Sequence, residues 1–140
     1  MNDITLIQLL KTFTKSEVLK FSSFVSSEYF NRKSAVTKLW NELSFFQPGY
    51  DSPRMSREYI YSRVFPGKKF NYGTLKNLVY ELTLLAKKFI ELEHYNTKKI
   101  QSSFNLLEAL MQRQTGGFIN KTFAETGKLI EENFHEPGYY

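Results

Sequence analysis

Two histidines, a glycine beside a lysine pair, and a polar, basic helix start are the places where this chain of 140 residues suggests chemistry. His94 and His135 each lack a carboxylate or second histidine three or four positions ahead, the spacing that puts two metal ligands on one helix face. Glu91, three residues before His94, reads as a surface pair. There is no cysteine, which excludes disulfides, thiolate catalysis and Cys-based zinc sites. Pro66-Gly67-Lys68-Lys69 places a glycine near lysine as a phosphate loop does. It lacks the second glycine, the Ser/Thr after the lysine and a preceding strand. No serine lies in a nucleophile-elbow context. The expectation is therefore no enzyme, no cofactor, no metal site and no evident small-molecule substrate.

What remains is binding, and the charge points to where. Residues 1–50 hold six Lys/Arg and four Asp/Glu, residues 51–100 ten and five, and residues 101–140 three and five. The positive excess sits in the middle, within 52–92, where a short helix, the basic loop 66–73 and a long helix follow one another. Read as a helix-turn-helix, the second helix would present Asn71, Tyr72, Thr74, Lys76, Asn77 and Tyr80 to the major groove. Arg57, Arg63, Lys68 and Lys69 would hold phosphates, while Asn77 suits adenine and Lys76 guanine. Three features oppose it. The loop spans about eight residues where such turns use three or four, the long helix has no arginine, and no β-wing follows. The leading expectation is thus a non-catalytic binding or scaffold module acting through protein contacts or self-association. A DNA-binding regulatory protein using the basic segment 54–88 is the alternative.

The elements that must position these residues read as helices throughout. Asp3 can cap a first helix that buries Ile4, Ile7 and Leu10, or Leu6 and Leu9. Thr14 and Glu17 form a capping box for a helix burying Val18, Phe21, Phe24 and Val25. A third, over 33–46, puts Val36, Leu39, Trp40 and Leu43 on one side. Pro48, Gly49 and Pro53 mark a loop, and Ser56 caps the helix of Ile60 and Val64. Pro66-Gly67 ends it, and Thr74 can cap the long helix. There Leu75, Leu78, Leu82, Leu85, Phe89 and Leu92 recur at alternating spacings of three and four, widened by Val79 and Ala86, the pattern of a core-facing bundle helix. Leu84 and Ile90 fall off that stripe and are candidates for a partner face. A further helix carries Ile100, Phe104, Leu107 and Met111, and Thr115-Gly116-Gly117 breaks it. The last puts Ile119, Phe123, Ile130 and Phe134 on one face, before Glu136-Pro137-Gly138. The expected fold is all-α, six to seven helices in a single domain with a helix-turn-helix-like centre and no β-sheet. It comprises a bundle core over 1–95 and a helical hairpin over 97–135 packed on it. No signal peptide is evident and no apolar run approaches the ~18 residues a membrane helix needs, so a cytoplasmic protein is expected. Phenylalanine, at 13 residues, stands where many cores use leucine.

Ser27-Glu28-Tyr29-Phe30-Asn31, then Phe65-Pro66-Gly67-Lys68-Lys69-Phe70-Asn71, then the Leu75/Leu78/Leu82/Leu85 helix resemble an uncharacterised family of bacterial all-helical proteins. Its members carry a Ser-x-Tyr-Phe-Asn turn and a Phe-Pro-Gly-x-x-Tyr-Asn loop. The likeness covers about residues 5–92. It implies a helical fold in which these motifs shape turns and packing, and it brings no catalytic residue with it. Residues 56–89 also resemble, more distantly, the winged-helix part of bacterial activators.

Overall fold

The computed structural model describes residues 4–113 and 116–134. Among them are seven α-helices and no strand: α1 (Ile4–Lys11), α2 (Lys15–Ser26), α3 (Ser34–Ser44), α4 (Arg57–Val64), α5 (Tyr72–Asn96), α6 (Lys99–Gln112) and α7 (Gly116–Phe134). The chain divides into two compact units, Met1–Ile90 and Glu91–Tyr140. The division falls inside α5.

In the first unit the local signals act as their chemistry dictates. The Glu17 N–H donates to Thr14 Oγ1 at 3.1 Å, and the Thr14 N–H donates to Glu17 Oε1 at 2.9 Å, closing the capping box of α2. At its other end the Ser26 hydroxyl donates to the Ser22 carbonyl at 2.8 Å, the local competition for backbone that helps stop a helix. Asn31 then braces the turn. Its amide nitrogen donates to the Val25 carbonyl (2.9 Å), the Thr37 hydroxyl (3.0 Å) and the Lys33 carbonyl (3.3 Å), and its oxygen accepts the Lys33 N–H at 3.0 Å. The asparagine of the Ser-x-Tyr-Phe-Asn sequence is therefore the joint between α2 and α3.

The core is aromatic at its centre. Phe21, one turn from buried Val25, lies 4.8 Å from Trp40, 5.2 Å from Phe13 and 5.3 Å from Phe89 between ring centroids. Trp40 is fully buried, and its indole N–H donates to Ser22 Oγ at 2.9 Å. All four residues of the expected α3 stripe are buried, as are Leu6, Ile7 and Leu10 of α1. Both alternatives for α1 thus contribute to its apolar side, with Leu9 packed at its edge. On α5 the stripe Leu75, Leu78, Val79, Leu82, Ala86 and Phe89 is buried, while Leu85 is half-buried. Thr83 joins them because its hydroxyl donates to the Val79 carbonyl at 2.7 Å, so no polar atom is left bare.

Two helix starts differ from expectation. Asn71, not Thr74, caps α5: its Oδ1 accepts the Thr74 N–H at 3.1 Å, and the helix begins at Tyr72. An Asn oxygen reaches a third-position N–H as well as a hydroxyl does, so the earlier residue prevails. Gly67, with φ of 76°, makes the left-handed turn that ends α4. In the second unit α6 ends at Gln112, ahead of the expected break, and α7 begins at Gly116, so the Gly-Gly pair itself opens the next helix.

α6 and α7 pack against each other, and the expected faces are covered only in part, with Ile100 and Ile130 half-buried. Leu107 is buried, whereas Phe104 and Met111 are exposed. Among the described side chains of α7 the buried ones are Thr122 and Thr126, one turn apart, and Phe123 is exposed. The Thr126 hydroxyl donates to the Thr122 carbonyl at 3.0 Å, so this buried hydroxyl is satisfied by its own helix. The Asp3 cap, the side chains of Ile119 and Phe134, and the 136–138 stop lie outside the described residues.

Candidate functional site

The basic face is built on the buried stripe of α5, because a helix that buries one side presents the opposite one. At 3.6 residues per turn, Lys76, Asn77, Tyr80, Leu84, Lys87 and Lys88 lie opposite that stripe, and all six are exposed. Between residues 71 and 90 the sole carboxylate is Glu81, and it is half-buried in an ion pair with Lys33. From Lys76 to Lys88 the outer face therefore carries positive charge, with Tyr80 and Leu84 at its middle, and the exposed Glu91 follows one turn beyond Lys87.

All eight residues expected to contact nucleic acid are exposed, but they do not form one group. The Arg57 guanidinium sits 5.0 Å from the centre of the Tyr72 ring. That cation–π contact ties the start of α4 to the start of α5. Lys76 follows Tyr72 by one turn, with Asn77 beside it, and Lys68 and Lys69 stand on the preceding connection. Arg63 is elsewhere. It lies about 120° around α4 from Arg57, and its Nε donates to Glu42 Oε2 at 3.4 Å. With Glu42, Phe45, Arg54 and Tyr59 it lines a separate open groove of about 680 Å³. Asn71 is occupied by the α5 cap, so its oxygen does not face a ligand. Thr74 is half-buried inside the first turn.

The proposed partner face also divides. Leu84 is 47% exposed, but Ile90 is half-buried. Six residues apart on a helix, they point about 120° away from each other and cannot share one surface. Lys87 and Lys88 were missed by sequence reasoning. The signal was available in the polar positions that complete the outer face beside Tyr80 and Leu84.

Tyr50 was missed altogether. It is 6% exposed, adopts φ of 53°, and its hydroxyl has no hydrogen-bond partner. Burial pushes its pKa up to about 12 from 10.0. A neutral buried phenol is favoured in the folded state, so its contribution is complete below pH 10. It is lost as pH rises from 10 through 12, by about 2–3 kcal/mol in total. Tyr50→Phe is expected to remove that part of the alkaline loss. At pH 7 the variant should match or exceed the parent by about 1 kcal/mol, because an unsatisfied hydroxyl leaves the interior. Urea melts of both proteins at pH 8 and pH 11 measure it.

No three His, Asp or Glu residues gather into a metal-binding group among the described residues. No helix there is long and apolar enough to cross a membrane. Fold and surface define an all-α protein with a basic helix face. Compared with protein-family models, curated proteins and solved structures, the chain matches none.

Proposed function

We propose that the chain is a non-catalytic helical binding module that acts through protein contacts, with a protein partner or a second copy of itself. One observation carries this reading. The α6–α7 pair leaves large apolar side chains outside: Phe104 at 46%, Met111 at 63% and Phe123 at 68% exposure. Burying a side chain of this size contributes ~1.5–3 kcal/mol. Aromatic residues and methionine are the types enriched in interface centres. Phe104→Lys with Phe123→Lys is expected to leave the helical signal intact and to abolish association in sedimentation velocity and partner capture. An unchanged sedimentation profile together with an unchanged set of captured proteins would count against the reading.

A second reading, DNA binding, draws on a different observation. Residues 54–88 hold eight Lys/Arg against two Asp/Glu, and one of those carboxylates is paired with Lys33 outside the segment. Neutralising about five phosphates would give a log–log salt slope near −4.5 on random duplex DNA. Lys76→Glu with Lys87→Glu would flatten the slope, while Arg63→Ala, on the other side of α4, would leave it unchanged. No binding at low salt, or a slope near zero, rejects this reading.

A further inference from the structure

In the first unit, a cavity of about 170 Å³ lies where the end of α1, the start of α2 and the 47–50 loop meet. Leu10, Phe13, Val18 and Pro48 give it apolar walls, and Lys11 and Lys15, both exposed, line it as well. Tyr50 completes the lining. Two costs fall on this one residue: a buried hydroxyl with no partner and a backbone φ of 53°. Phenylalanine would avoid the first, and glycine or asparagine the second. Neither cost helps the fold, and strained, unsatisfied residues beside a cavity are the kind that mark binding sites.

The lining also specifies the ligand. Two ammonium groups can only donate. The Tyr50 hydroxyl, protonated at neutral pH, can donate too; the Nε2 of Gln47, also on the lining, already donates to the Ser44 carbonyl at 2.8 Å, and no carboxylate lines the space. A matching molecule must therefore accept at a negative head and be apolar behind it. At ~30 Å³ per water-sized group the volume holds about six non-hydrogen atoms. The geometry points to a small organic monoanion, a carboxylate on a short aliphatic tail, held by Tyr50 Oη, Lys11 Nζ and Lys15 Nζ with its tail against Leu10, Phe13 and Val18. The hydroxyl is sealed from water in the free protein, so uptake includes a small movement of the ring toward the cavity.

Sodium butyrate, titrated into the full chain and followed by backbone amide shifts, is the direct probe. Saturable shifts at residues 10–18 and 47–50 are expected, with Kd in the ~1–10 mM range suited to so small a ligand. Tyr50→Phe, which keeps the ring and the fold, should weaken binding about tenfold, the effect of one hydrogen bond to a charged group. Lys11→Gln with Lys15→Gln should weaken it by at least as much. Neutral butanol should bind more weakly, which reports the head, and acetate more weakly still, which reports the tail. Three results overturn the inference: no saturation up to ~50 mM, equal affinity in Tyr50→Phe, or inorganic phosphate binding as well as butyrate. A crystal grown with butyrate that shows only water on Tyr50 Oη would overturn it too.

Discussion

Phe21→Ala is expected to destabilise the first unit by about 3–5 kcal/mol, the range for removing a fully buried phenylalanine. Phe21 is 0% exposed and its ring contacts Phe13, Phe24, Trp40 and Phe89. These rings come from the α1–α2 turn, from α2 itself, from α3 and from α5, so one truncation empties the place where four segments meet. Edge-on aromatic pairs add about 0.5–1.5 kcal/mol each beyond burial, which sets the loss toward the upper end. A unit of this size has about 5–13 kcal/mol in total, so the variant should be partly unfolded at 37 °C. Phe21→Leu refills most of the volume and should cost about 1–1.5 kcal/mol. Trp40, the chain's single tryptophan, touches Phe21 and reports the change by fluorescence. Urea melts should show a lower midpoint for Phe21→Ala at an unchanged slope. A loss under ~1 kcal/mol would mean that the aromatic centre is not the keystone of the unit.

How much of this was legible in the sequence depends on which force decided each position. The seven helices and the stripes of α3 and α5 are set by apolar periodicity, a local signal, and there the sequence reads directly. Thr14-Glu17 and Ser56 are legible for the same reason: a cap is decided within four residues. Asn71 shows the limit of local rules, since it and Thr74, three positions apart, compete as caps and only the backbone path chooses between them. α7 shows a larger one. Phe123 is the more hydrophobic residue, yet Thr122 and Thr126 are buried, and the Thr126 hydroxyl tolerates burial because it bonds the Thr122 carbonyl of its own helix. For the surface, exposure of the basic residues followed from type, but Arg63 was misplaced because its partner Glu42 sits on another helix. The 45–54 loop was readable only as a loop. Nothing local says that Tyr50 folds inward with a positive φ, since that outcome depends on α1 and α2 closing over it. The Leu84/Ile90 pair divides for a simpler reason: Leu84 lies at the middle of the outer face, while Ile90, about 120° away, is half-buried at the edge of the stripe.

Asn31 is the position where a single polar side chain should matter nearly as much as the aromatic centre. Its amide and oxygen link the Val25 carbonyl, the Thr37 hydroxyl and both backbone groups of Lys33, so it fixes the angle between α2 and α3. Asn31→Ala leaves the Lys33 N–H without its acceptor. It also leaves the Val25 carbonyl with only a 3.4 Å contact from the Thr37 hydroxyl. The Lys33 N–H is exposed and can turn to water, so the ~1–3 kcal/mol for a stranded part-buried group falls on the Val25 carbonyl, and the expected loss is about 1–3 kcal/mol. Asn31→Asp separates donor from acceptor. It keeps the oxygen that receives the Lys33 N–H, but sets a carboxylate against two carbonyls that now lack a donor. That variant should therefore be no more stable than Asn31→Ala at pH 7, and it should recover part of the difference below pH 4, where a protonated carboxyl can donate again. Thr37→Val, which removes one acceptor and keeps the shape, should cost only about 1 kcal/mol. Denaturation midpoints of the three variants at pH 7 and pH 3.5, each referred to the parent at the same pH, measure this order. An Asn31→Asp protein as stable as the parent would show that the acceptor alone holds the joint and that the donated bonds to Val25 and Thr37 are incidental.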